Sequence, residues 1–342
     1  MQIYLRRYSL VGILFNFILD FNYQQCDLSA ADEGSISIDF IPGVPNLEAR
    51  DLPCFIRQSD PESRAILDLI HRSFQACREA DWVLGNSFDD LERKELNLNP
   101  PVLHVGPLLP SGFLNGEHSK DMRVGTSIWT ECDCPKWLDA KPNRSVLYVS
   151  FGSMVFVTKA QLEEIAMGLK DSGQFFLWAL RPDIVSSTVS DSLPHGFLDE
   201  IKGQGLVVPW CNQLQVLSHP SVAGFVTHCG WNSMLESIAG GVPMVGLPFC
   251  YDQFTNSKLM ADEWKIGYRL SGGKGLILKK EISITIRKLF SDEGTEVKKN
   301  VEALRDCART AVRDGGCSDK NIESFVEGLR ASTICEWCLI VI

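Results

Sequence analysis

The sequence predicts an α/β protein made of parallel sheets wound with helices, and three observations carry that expectation. At 342 residues with 45% apolar content, the chain is long enough for two globular domains. Short apolar runs alternate with stretches of helical periodicity, the pattern of strands buried on both faces by helices. Polar clusters recur just beyond those runs, at the carboxyl ends where an open wound sheet takes its ligand.

Taken in order, the chain opens with Arg6 and Arg7 ahead of an apolar run at 10–19, broken by Asn16. The run is too short to cross a bilayer, and no small-residue cleavage site follows it. It reads as an element of an incomplete domain, with a targeting segment as the alternative. Residues 36–53 form a loop punctuated by Pro42, Pro45 and Pro53. Ile66, Leu67, Ile70, Phe74 and Cys77 give helical spacing across 61–80. Strands are expected at 81–84, ending in Asn86-Ser87, and at 102–105, ending in Gly106-Pro107. The polar, irregular stretch 108–136 reads as an interdomain linker.

A strand at 145–150 feeds Phe151-Gly152-Ser153, a helix follows at 161–169, and a strand at 175–180 leads into Arg181-Pro182-Asp183. That loop holds Ser186, Ser187 and Ser190 and is expected to be mobile. Further strands fall at 206–208, 222–227 and 243–247, with a short helix at 213–218. His228-Cys229-Gly230 turns a corner, and Asn232 or Ser233 opens a helix that Gly240-Gly241 closes. Pro248 sends the chain into a loop holding Asp252 and Gln253. A helix at 256–264, a strand and helix within 276–289, and helices at 297–312 and 321–329 complete the second domain. The chain ends in an apolar tail, 331–342.

Net charge is −10, with acids and bases interspersed, so no nucleic-acid surface is expected. Of the twelve cysteines, only Cys132/Cys134 and Cys335/Cys338 are close pairs. Neither has a second pair or a nearby histidine to complete a zinc site. No metal is expected, and free thiols point to a reducing, cytoplasmic setting.

The clusters at the strand ends suit an anion. Unpaired N–H groups and the helix dipole at 231–233 attract negative charge, and Gly230 permits close approach. Asn232 and Ser233 add side-chain donors, and His228 adds either a donor or a positive charge. This is a cradle for a diphosphate. Blander readings stand beside it. Ser233 and Glu236 match a capping box, in which Glu236 only caps its own helix. Trp210 either fills the core or stacks on a nucleobase. His228 is structural or binds ligand.

As a set, residues 210–253 resemble the signature box of the plant UDP-glycosyltransferases. The match runs through Trp210, Gln213, HCGWNS at 228–233, Glu236, GVP at 241–243 and Asp252-Gln253. The resemblance covers about 36–329 and implies a GT-B-like arrangement of two wound-sheet domains. Their boundaries would be 1–107, the remnant of an acceptor domain, and 137–330, the nucleotide-sugar domain, with 331–342 a divergent tail. It implies that Trp210 stacks on uracil, the backbone at Cys211 pairs with the base edge, and Gln213 and Glu236 hold the ribose. His228, Gly230, Asn232 and Ser233 would bind the diphosphate, and Trp231, Asp252 and Gln253 the sugar. Ser153 matches a family serine that contacts the nucleotide. A terminal Gln in this box favours UDP-glucose, a substrate rather than a cofactor. The implied reaction is inverting transfer of a hexose to a hydroxyl of a small lipophilic acceptor, without membrane insertion. The family's base is a histidine after the first strand, oriented by an aspartate. None of His71, His104, His118, His195, His219 and His228 stands in that motif. No catalytic residue is therefore assigned. A truncated, inactive UDP-sugar-binding remnant is the alternative, and the absence of G-x-G-x-x-G after any strand leaves a dinucleotide oxidoreductase far behind.

Overall fold

The computed structural model of the chain describes residues 2–6, 37–38, 46–57, 60–92, 102–116, 134–184, 193–270, 275–331 and 338–341. Backbone contacts divide it into two compact units. One comprises Met1–Leu109, Cys250–Asn256 and Asp306–Ile342; the other comprises Pro110–Phe249 and Ser257–Arg305. The apolar run 10–19, Cys132, His118, Ser186, Ser187, Ser190 and Cys335 lie outside the described residues.

The first leg of the chain contributes β1 (Gln2–Arg6), β2 (Ser37–Ile38) and β3 (Leu47–Glu48), the last two paired antiparallel. Helices α1 (Cys54–Arg57) and α2 (Pro61–Arg78) follow. Asp60 caps α2 by accepting from the Ser63 amide, and Pro61 opens it where no N–H is needed. Strands β4 (Trp82–Gly85) and β5 (Val102–His104) stand where the apolar runs place them.

The second unit begins with the short helices α3 (Ser111–Leu114) and α4 (Cys134–Asp139). Then come β6 (Val146–Ser150), α5 (Lys159–Ser172), β7 (Phe175–Ala179), α6 (Phe197–Glu200) and β8 (Gly205–Val208). After them run α7 (Gln213–Leu217), β9 (Val222–Thr227), α8 (Trp231–Gly240) and β10 (Met244–Gly246). Helix α9 (Gln253–Lys258) continues into a π-turn at Leu259–Glu263, and β11 (Gly267–Arg269), α10 (Lys279–Phe290) and α11 (Thr295–Ala311) close the leg.

Six of these strands form one parallel sheet in the order β11-β10-β9-β6-β7-β8. Every residue of β6 and β9 is buried, which is why both read as unbroken apolar runs. From β6 the chain moves to β7 and β8, then returns to the other side of β6 as β9. The crevice between β6 and β9 is thus the switch point at which wound sheets bind ligands.

The strand expected within 276–289 is not there. Ile277 spends its N–H and its carbonyl on the amide of Gln161, at 2.9 Å each, instead of on a ladder. The sheet's edge strand lies earlier, at β11. No apolar run marks it in the sequence, because Tyr268 and Arg269 are only half-buried.

The last elements are α12 (Cys317–Ala331) and β12 (Cys338–Val341). The apolar tail thus ends in a strand parallel to β1, and the first unit holds a four-stranded parallel sheet in the order β12-β1-β4-β5. Helix α12 packs on it through Phe325, edge-on to Trp82 at 5.6 Å, and through Leu329 against Leu84 and Val105. Ser318 and Asn321 donate to the carbonyls of Gly106 and His104 at 2.6 and 2.8 Å. No helix among the described residues is long and apolar enough to cross a membrane.

Candidate functional site

Strands β6 and β9 run side by side, with Ser150 opposite Thr227. Their extensions, Phe151-Gly152-Ser153 and His228-Cys229-Gly230, close on one imidazole. A Cβ at Gly152 would lie 2.8 Å from Cε1 and Nε2 of His228, and one at Gly230 would lie 2.4 Å from Nε2. Gly152 also has φ of +69°, which a side chain would strain. Only glycine lets both loops come this near the ring.

Helix α8 starts at Trp231, with extended Gly230 at the cap position and no side-chain cap. The sequence placed its start one or two residues later, at Asn232 or Ser233. The first helical bond, from the Met234 amide to the Gly230 carbonyl at 3.1 Å, sets the earlier start. Asn232 is exposed on this first turn, whereas Trp231 is 5% exposed, its ring 6.1 Å from that of Trp264.

The capping box does not form. Gln213 reaches across from the first residue of α7, its Nε2 donating to Ser233 Oγ at 3.0 Å and to Glu236 Oε2 at 2.6 Å. Asn212 caps α7 through the Gln215 amide and so fixes where Gln213 stands. Behind Gln213, its Oε1 accepts from the hydroxyl of Tyr148 at 3.2 Å, and the Cys211 thiol donates to that hydroxyl at 3.5 Å. Half-buried Trp210 and buried Cys211 follow directly on β8.

Electrostatics divide the labour. Burial, and secondarily the charge of Arg181, pushes His228 down to about 4, so the ring is neutral at pH 7. Of the two roles open to it in the sequence, a donor or a charge, the unliganded chain holds the ring in the uncharged form. Its Nδ1 is buried and has no hydrogen-bond partner among the described residues. The nearby positive charge is Arg181, just beyond β7, whose guanidinium donates to the carbonyls of Ser153 at 2.5 Å and Val155 at 2.8 Å. The side chain of Ser153 is exposed, so it is the Ser153 backbone that Arg181 holds. Arg181 and Tyr148 were not singled out from sequence. A cation immediately after an apolar strand was the available signal for the first.

Glu236 is raised to about 7 by burial, against which the Gln213 hydrogen bond works. Asp252 is raised to about 6 by burial, offset by Asn256, which donates to it at 3.0 Å. Asp252 and Gln253 belong to the segment Cys250–Asn256 of the first unit. There Gln253 Oε1 accepts from the Cys250 amide at 3.1 Å, and Thr255 donates to the Asp51 carbonyl at 2.7 Å. The other ten expected positions all lie in the second unit.

The described histidines other than His228 are engaged elsewhere or exposed. His104 meets Asp89 at 3.1 Å and Glu92 at 3.9 Å; His219 meets Asp139 and Ser221. His71 meets Gln75 on the exposed face of α2, and His195 is exposed.

A parallel sheet with an uncapped helix start, a neutral imidazole and an amide-held carboxylate at its switch point places the chain among the GT-B-type α/β proteins. The chain belongs to the UDP-glucoronosyl and UDP-glucosyl transferase family, whose profile matches residues 108–301. It is 41% identical over 300 residues to UDP-glycosyltransferase 86A1 of Arabidopsis thaliana, covering 86% of this chain and 59% of that protein. It is 42% identical over 299 residues to mogroside I-E synthase of Siraitia grosvenorii, covering 85% and 64%. Among solved structures, Phytolacca americana UGT2 complexed with UDP-2fluoro-glucose and pterostilbene superposes with a TM-score of 0.80 at 31% identity, over 96% of this chain and 71% of that one. Os79 from O. sativa in complex with UDP gives 0.82 at 30%, over 96% and 72%. The chain therefore spans less than two thirds of the length of the curated relatives named.

Proposed function

We propose that the second unit holds a UDP-hexose, with glucose as the sugar, and that the chain serves inverting transfer of that hexose to a hydroxyl of a small lipophilic acceptor. The observation that carries the reading is the Gln213 clamp on Ser233 and Glu236. A capping box was available locally, and Gln213 instead donates to Glu236, which favours the carboxylate against its burial and so the state that accepts from vicinal ribose hydroxyls. Trp210 stacks on the uracil, with the Cys211 backbone at its edge. His228, Gly230, Asn232, Ser233 and Ser153 surround the diphosphate. Its negative charge faces the N-terminus of α8 and the Arg181 charge rather than a histidinium. The same groups stabilise the UDP leaving group as the bond to the anomeric carbon breaks. Trp231, buried against Trp264, meets the sugar through its backbone; Asp252 and Gln253, the other residues expected to contact sugar, belong to the first unit. UDP-glucose is a substrate in this scheme, and neither a cofactor nor a metal takes part.

Attack by an acceptor hydroxyl needs a base, and the engagement of the described histidines favours a second reading. In it the chain binds UDP-sugar and transfers nothing. A cytoplasmic location belongs to the proposal and is supported by the free thiols of Cys54, Cys77, Cys134, Cys211, Cys229, Cys250, Cys307 and Cys317.

Titration calorimetry with UDP tests the site. Trp210→Ala and His228→Ala should each weaken binding by about 10-fold or more, the loss of a stacked base being worth roughly 1–3 kcal/mol. No affinity in the parent, or full affinity in both variants, ends the reading. Turnover of UDP-glucose with a panel of phenolic acceptors then separates the enzyme from the binding remnant.

A further inference from the structure

We infer that Tyr148, buried beneath the site and touching no ligand, is a positioning residue for ribose recognition: its hydroxyl fixes which way the Gln213 amide faces and so holds Glu236 as an acceptor. The inference rests on the UDP-binding reading and names a control within it.

Tyr148 is in the middle of β6, fully buried, with its ring stacked on Phe225 at 4.9 Å and 22°. The stacking fixes the ring, and the ring fixes the hydroxyl. From there the hydrogen bonds run in one direction. The Cys211 thiol donates to the Tyr148 oxygen, the Tyr148 hydroxyl donates to Gln213 Oε1, and Gln213 Nε2 donates to Ser233 and Glu236. Each bond in such a chain polarises the next.

An amide has two orientations of nearly the same shape. Turned over, Gln213 would direct its carbonyl oxygen at Glu236, and that contact is favourable only to a protonated carboxyl. Ribose hydroxyls donate, so they need the carboxylate. The Tyr148 hydroxyl faces Gln213 with a donor and so selects the orientation that favours the carboxylate. Of the groups around Glu236, Tyr148 faces it from β6 with Cys211 behind the phenol, and both are weak acids. Gln213 from α7 and Ser233 on its own helix carry no charge. Burial keeps Glu236 near its midpoint at neutral pH, where a change of hydrogen bonding has the greatest effect.

The test is UDP affinity measured from pH 5.5 to 9 for the parent, Tyr148→Phe, Gln213→Leu and the double variant. In the parent, affinity should rise with pH and level off above about 7 as Glu236 ionises. Tyr148→Phe should move that midpoint up by about half a pH unit or more, weaken binding about 2-fold or more at pH 7, and rejoin the parent at pH 9. In the Gln213→Leu background, Tyr148→Phe should add nothing. With 2′,3′-dideoxy-UDP, neither the midpoint nor the effect of Tyr148→Phe should appear. An unmoved midpoint in a folded Tyr148→Phe protein, or equal weakening at every pH, overturns the inference and leaves UDP binding standing. Absence of UDP binding in the parent overturns both. Should Tyr148→Phe lack a thermal transition, Gln213→Leu carries the test, and a midpoint unchanged from the parent overturns the inference.

Discussion

A methyl group at Gly152 or Gly230 would have to share space with the ring of His228, at 2.8 and 2.4 Å. Neither loop can retreat without moving what it carries, Ser153 on one side and the start of α8 on the other. Gly152→Ala and Gly230→Ala should therefore each weaken UDP binding by about 10-fold. Gly152→Ala should also lower stability by about 1–3 kcal/mol in urea denaturation, because its φ is positive as well. Arg181 presents a different case. Its guanidinium is the partner of the Ser153 and Val155 carbonyls, so Arg181→Met should cost about 2–4 kcal/mol by leaving both without it. The same change removes the lesser cause of the low His228 value while burial remains. A histidine titration followed by NMR should show His228 moving up and stopping short of 6.5. Sequence could not expose these roles, because each depends on what lies across the sheet edge. Arg181 and Tyr148 act through partners far from them along the chain.

Helices α5 and α10 pack together, and two side chains of α5 clip the start of α10: Gln161, and Glu164, which accepts from the Lys279 amide. Gln161 stands in the first turn of α5, and its amide takes the N–H and the carbonyl of Ile277, ahead of α10. Gln161→Ala strands the N–H and carbonyl of half-buried Ile277 and should cost about 1–3 kcal/mol, whereas Gln161→Glu keeps the acceptor and loses the donor and should cost about half as much. Urea melts of the two variants decide. This clip also explains why the sequence mislaid a strand at 276–289: a side chain, not a neighbouring strand, satisfies the backbone there. The central strands were legible because β6 and β9 are buried on both faces, and their apolar runs allow no other placement. Strand β12 was not, since it exists only by pairing with β1 at the opposite end of the chain. The start of α8 was misplaced for a related reason. Ser233 and Glu236 match a local capping motif, yet Gln213 outcompetes it from another helix. Local signals carried the elements and the site's residue types; partner choice belonged to the fold.

Across the whole molecule, the site's ionisable groups tie stability to pH with opposing signs. Glu236 titrates at about 7 in the folded chain against 4.5 unfolded, so between those values the native state keeps a proton the unfolded state has lost. Its contribution to stability therefore falls as pH rises through that window, by on the order of 3 kcal/mol in all. Asp252, raised from 3.8 to about 6, acts with the same sign in the other unit. His228 does the reverse. Lowered from 6.5 to about 4, it is neutral in the native state where the unfolded chain is protonated, so stability is lost as pH falls from 6.5 towards 4. In the second unit the Glu236 and His228 slopes nearly cancel between about pH 4.5 and 6.5. Asp252 has no such opponent, so the unliganded parent should lose stability as pH rises from about 4.5 to 6. Glu236→Gln removes its slope and leaves those of Asp252 and His228, which oppose each other. The variant should match the parent near pH 4.5, exceed it by on the order of 3 kcal/mol at pH 8, and stay nearly flat between about pH 4.5 and 6, where the parent falls. Saturating UDP should narrow the difference at pH 8, because the parent's carboxylate then gains its ribose partners and the variant's amide does not. Urea melts at pH 4.5, 6.5 and 8, with and without UDP, give the comparison. A Glu236→Gln protein no more stable than the parent at pH 8 would mean that the carboxylate is not held against its own burial. A site tuned for a ligand in this way stores cost in the free protein and recovers it on binding.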